Sequence, residues 1–138
     1  MPAQMSIGIP GSHMPIFPFM ILPLAVLAVG LVLVVYYLRG IRKPIVIGLH
    51  VLLGFGALEL LVMLLKGTPN GDSLPAGDFG NVSAGFFALA GFIGLLTPIL
   101  GRRSHKTALA LLWAHGSAGF AGVVFCIAWV SSLTPMGP

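Results

Sequence analysis

The chain has 138 residues, of which 57% are hydrophobic and only 7% charged, and it carries a formal net charge of +4. A soluble domain covers its surface with about 25% charged residues, so this composition excludes one and points to a chain dissolved in lipid. The excess of Lys and Arg is gathered into two short segments rather than spread in a stripe interleaved with aromatics, which excludes a nucleic-acid footprint.

The first apolar run covers residues 16–38. Nothing before it is positively charged and its apolar core is too long for a signal peptide, so it reads as a membrane span. Pro18 and Pro23 fall in its first turns, where proline is tolerated or kinks the helix. Tyr36 and Tyr37 close it as interfacial aromatics. The connection LRGIRKP brings Arg39, Arg42 and Lys43, and a second run follows over residues 44–65, ending at Lys66. A polar connection rich in Gly, Pro and Asp, residues 67–81, leads to a third run at 82–100. The basic connection GRRSHKT, with Arg102, Arg103 and Lys106, leads to the fourth at 107–131, with Trp113 and Trp129 placed to anchor its two ends.

Each run approaches the ~20 residues that an α-helix needs to cross a bilayer. None shows the alternation of a β-barrel strand. The expected fold is therefore all-α: an integral membrane four-helix bundle forming one transmembrane domain over residues 1–138. Every Lys and Arg except Lys66 sits in the two short basic connections. Such loops stay cytoplasmic. Both termini and the middle connection are thus expected on the other side of a bacterial inner or photosynthetic membrane, periplasmic or lumenal.

A weak internal repeat divides the chain in two. The second run contains His50, Gly54, Phe55 and Ala57, and the fourth contains His115, Gly119, Phe120 and Gly122 at a constant offset of 65. The preceding runs each carry a glycine ahead of the basic connection, Gly30 and Gly94. Two tandem hairpins that start on the same side would be related by a pseudo-twofold axis along the membrane normal. Each histidine would then lie about 10 Å into its helix, counted from Pro44 and from Thr107, and both would point at one centre. Gly54 and Gly119, four residues further on, fall on the histidines' own helix faces and leave little bulk beside them.

Two histidines from two helices, flanked by small residues, suit a planar macrocycle with a six-coordinate metal, because neutral imidazole is a good iron ligand. On His50, Gly54, His115 and Gly119 the sequence resembles the small four-helix membrane cytochromes that hold haem b by two histidines, namely the membrane anchors of succinate dehydrogenase and the b561-like proteins. The resemblance implies haem b with His50 and His115 as metal ligands. The two-haem pattern of the b561-like proteins needs four intramembrane histidines, so at most one haem is implied here. His13 and His105 lie outside the apolar runs, and covalent attachment is excluded because no Cys-x-x-Cys-His motif occurs. A lone histidine could equally bond a neighbouring helix, or hold the magnesium of a chlorophyll-type pigment.

Glu59 lies nine residues beyond His50, about 180° around the helix. It reads as a proton carrier, a quinone contact, or a neutral carboxyl bonded to another helix or subunit. No Ser-His-Asp arrangement suggests hydrolysis, so there are no candidate catalytic residues. The expectation is a haem b electron-transfer subunit that works with a quinone pool and a larger partner complex and is not catalytic alone. The alternatives are an accessory or scaffolding subunit of a respiratory or photosynthetic complex, and a small proton-coupled transporter.

Overall fold

The computed structural model describes residues 16–66 and 77–133. His13 and residues 67–76 of the middle connection lie outside the described residues. The described chain is all-helical, with α1 spanning Ile16–Leu38, α2 Pro44–Lys66, α3 Gly77–Leu100 and α4 His105–Leu133. All four are long and apolar enough to cross a membrane. A bilayer enforces this outcome, since backbone polar groups in hydrocarbon must be satisfied within their own segment.

The helix ends follow from local chemistry. At the end of α1, Ile41 N–H donates to the Tyr36 carbonyl (2.9 Å) and Gly40 N–H to that of Tyr37 (3.0 Å). This is a Schellman closure. It requires the left-handed φ of +69° that Gly40 adopts. Pro44 opens α2 at a position where its missing N–H costs nothing. Helix α3 begins at Gly77 rather than Val82, because Asp78 suits the positive end of the helix and the Asn81 side-chain amide donates to the Gly77 carbonyl at 3.1 Å. Helix α4 begins at His105 rather than Thr107, because the Ser104 hydroxyl caps it, accepting from Thr107 N–H at 3.0 Å.

The helices pack in a ring: α3 against α4 most closely, then α1 against α2, with looser contacts of α2 with α3 and α1 with α4. Helices α2 and α4 are therefore diagonal. Buried apolar residues gather at the end away from the basic connections, in a cluster of Phe19, Leu61, Leu65, Cys126 and Trp129. Trp129, expected at an interface, is 1% exposed and meets Phe19 edge-on at 6.2 Å. It is buried because Gly80 leaves room for it: a Cβ there would lie 3.1 Å from the indole nitrogen. Trp113 is exposed, 74% of its surface facing outward.

Beneath Trp129, the Ser83 hydroxyl donates to the Gly122 carbonyl at 2.8 Å, and the Phe87 ring fills the space that a Cβ on Gly122 would need. Close approach at small residues, with a side-chain hydrogen bond across, is how helices associate in lipid. Some buried positions correspond between the two hairpins. Leu61 and Cys126 are both buried at the offset of 65, and Phe19 and Ser83 at one residue less.

The basic half is different. Among residues 30–38, 44–50, 91–100 and 105–115 none is buried. The ends of α1 and α4 are tied there by Tyr37 and His105, whose rings stack at 6.1 Å with a 3.3 Å hydrogen bond between Tyr37 Oη and His105 Nδ1.

Candidate functional site: a histidine pair between diagonal helices

At the boundary between the packed half and the open half, His50 of α2 and His115 of α4 face each other across the bundle. Their ring centroids are 5.8 Å apart and their planes cross at 76°. His50 is roughly 9 Å from the start of α2, while His115, with α4 extended back to His105, is roughly 15 Å from its start. The rings still meet, so α4 projects further at the basic end.

Each imidazole rests on a glycine of the preceding helix. A Cβ on Gly94 of α3 would lie 2.9 Å from both Nδ1 and Cε1 of His115, and one on Gly30 of α1 would lie 3.1 Å from Cε1 of His50. A larger residue at Gly94 would force the His115 ring to shift, and one at Gly30 would crowd the His50 ring by a few tenths of an ångström. Gly54 and Gly119 lie one turn from the histidines: a Cβ on each would have Val26 at 4.0 Å and Ala90 at 3.9 Å as its nearest neighbours, so each packs against the other helix of its own hairpin, on the residues that flank the imidazoles. The glycines that touch the imidazoles are thus on the neighbouring helices. The one sequence signal for them is their matched position ahead of the two basic connections.

The polar partners of the rings differ. His115 Nδ1–H donates to the Ala90 carbonyl at 2.8 Å. That fixes the proton on Nδ1 and leaves the Nε2 lone pair free, as in a histidine prepared to bind a metal. The corresponding carbonyl beside His50 is that of Val26, which acts on the ring without closing a hydrogen bond of normal geometry; Nδ1 of His50 is buried with no partner.

Among the described residues no three His, Cys, Asp or Glu side chains come together as a metal cage. The two imidazoles alone can offer a metal ion two nitrogen donors. A metal–nitrogen bond of ~2 Å to each ring would be compatible with centroids 5.8 Å apart. Such an ion would need its remaining positions filled by a group that brings its own donors.

Glu59 is exposed on α2, among outward-facing Leu52, Phe55, Val62 and Met63. It does not join the histidines. Cys126 is buried in the opposite half, with its thiol 3.8 Å from the Met20 sulfur. A scan against protein-family models finds no match to this chain, and neither do searches of curated proteins and of solved structures.

Proposed function

We propose that this chain is a membrane-embedded electron-transfer subunit that holds one haem b between His50 and His115 and works with a quinone pool and a larger partner complex. The observation that carries the reading is the convergence of two imidazoles from diagonal helices, at a centroid spacing of 5.8 Å, where the packed half of the bundle gives way to a half without buried side chains. Buried His50 Nδ1, left without a partner, also marks the place as unfinished by protein groups.

Haem would supply reversible one-electron exchange at this place. The chain's own residues do the rest. His50 and His115 would each offer it a ring nitrogen, Gly30 and Gly94 let both rings lie against the neighbouring helices, and the Ala90 carbonyl sets the tautomer of His115. The charge of the basic connections supports a cytoplasmic position for that half. Glu59 supports membership of a larger assembly, since a carboxyl at membrane depth is costly when it faces lipid. A partner helix or a quinone head group would relieve that cost.

The test is a reduced-minus-oxidised absorption spectrum of the purified full chain. The expected result is a sharp b-type α-band that disappears in His50→Ala and in His115→Ala. A protein that stays colourless when supplied with haem overturns the proposal, and a chlorophyll spectrum replaces it with pigment binding.

A further inference from the structure

We infer that the two histidines are unequal in strength: His115 is the fixed ligand that retains the bound group, and His50 is the exchangeable one, so that a small neutral ligand enters on the α2 side. The inference rests on the haem reading above and adds a second activity to it, reversible binding of an external ligand.

Three observations separate the two rings. First, His115 donates from Nδ1 to the Ala90 carbonyl at 2.8 Å, whereas Nδ1 of His50 is buried without a partner. A hydrogen bond from the second nitrogen orients a ligating imidazole and raises its basicity, and losing such a bond typically costs about 10–100-fold in metal affinity. Second, His115 sits deeper in its notch. The added Cβ at Gly94 would meet both Nδ1 and Cε1 at 2.9 Å, while the one at Gly30 would meet Cε1 at 3.1 Å and Nδ1 only at 3.7 Å. Third, the walls differ. Ala90 and Ala118 beside His115 are buried, but Val26 and Leu53, their counterparts in the first hairpin, are only half-buried. The α3–α4 pair is also the more closely packed of the two hairpins.

These differences act in one direction. The hydrogen bond and the close walls hold His115 in place, so its Nε2 needs no reordering to stay bound. His50, whose Nδ1 closes no comparable bond with the Val26 carbonyl beside it, is the freer of the two to turn. With haem bound, His50 would be the residue displaced by carbon monoxide, the ligand used as reagent: one ligand bond would be exchanged for another. The iron keeps its oxidation state and the imidazole leaves neutral.

The experiment uses the full chain in detergent, with total haem measured after denaturation in pyridine and ferrous spectra taken with and without carbon monoxide. His50→Ala is expected to keep haem in a five-coordinate form that binds carbon monoxide, while His115→Ala loses at least ~10-fold more haem affinity than His50→Ala. The unaltered protein is expected to take up carbon monoxide with loss of its sharp α-band. Where an alanine variant fails to fold, His50→Gly and His115→Gly supplied with imidazole give the same comparison. A readout without haem comes from ¹⁵N spectra of the histidine-labelled protein: His115 is expected as one Nδ1–H tautomer and His50 as an averaging mixture. Equal haem loss in the two variants, the reverse order, or a haem spectrum untouched by carbon monoxide overturns the inequality and leaves the haem reading standing. Absence of any haem spectrum in the unaltered protein overturns both.

Discussion

Replacing Gly94 by alanine tests the histidine notch directly. The new Cβ would lie 2.9 Å from Nδ1 and Cε1 of His115, against the ~3.5–4.0 Å of ordinary carbon contact. The imidazole must therefore retreat by about half an ångström or more, which stretches the 2.8 Å bond to the Ala90 carbonyl beyond hydrogen-bonding length. Overpacking of this kind costs about 1–3 kcal/mol, and the lost hydrogen bond about 0.5–1.5 kcal/mol more. Removing a glycine from a helix returns about 0.5–1 kcal/mol. The net expectation is a loss of about 0.5–4 kcal/mol. Gly91, one turn earlier on α3, is the control, because a Cβ there meets nothing within 4 Å and only the helix gain remains. Unfolding in mixed micelles with increasing dodecyl sulfate, followed by far-ultraviolet circular dichroism, measures both variants. If Gly94→Ala is as stable as Gly91→Ala, the imidazole is not seated on α3 and the reasoning fails.

In the packed half, Gly122→Ala should destabilise by about 1–3 kcal/mol in the same assay, since its Cβ would stand 2.9 Å from the Phe87 ring. Ser83→Ala should cost no more than about 1.7 kcal/mol, the upper range for an interhelical hydrogen bond in lipid, through loss of its bond to the Gly122 carbonyl. Glu59→Gln should leave the stability of the isolated chain within about 0.5 kcal/mol, while weakening co-migration with its membrane partners on a native gel. For topology, a thiol placed by Lys43→Cys should react with an impermeant maleimide only after spheroplasts are opened, and one placed by Asn70→Cys should react in intact spheroplasts. The native Cys126, fully buried, gives no background.

The spans were legible because lipid leaves the backbone no alternative, so length and hydropathy alone located four helices. Their ends were less so. Residues 77–81 have the composition of a loop, yet Asp78 and Asn81 are good first-turn residues, and local capping outweighed polarity. The Ser104 cap was present in GRRSHKT but was hidden by the basic residues around it. Trp129 matched an interfacial anchor by position, and only the space left by Gly80 on another helix shows why it turns inward. At the site, the repeat made His50 and His115 visible as a pair. The spacing of four residues pointed to Gly54 and Gly119, because it describes a single helix face. Which glycine an imidazole touches is decided by the neighbouring helix, through the relative shift of two antiparallel helices, and no spacing within one helix encodes that.

The division of the bundle into a packed and an open half has an energetic reason that bears on the site. In lipid the hydrophobic effect does not press helices together, so association depends on close contact and hydrogen bonds. The half away from the basic connections has both, through Ser83, Gly80, Gly122 and the ring of Trp129. The basic half has no buried residue in its described helical segments beyond the histidines, and Tyr37 and His105 join it at the exposed rim. Contacts between the hairpins are also looser than those within them. The histidine pair stands where this cohesion stops, with one ring from each hairpin. A group ligated by both rings would therefore stitch the hairpins together at the level where protein contacts no longer do so. Its binding should stabilise the whole bundle by an amount that grows with the logarithm of its concentration above the dissociation constant, as any ligand of the folded state does.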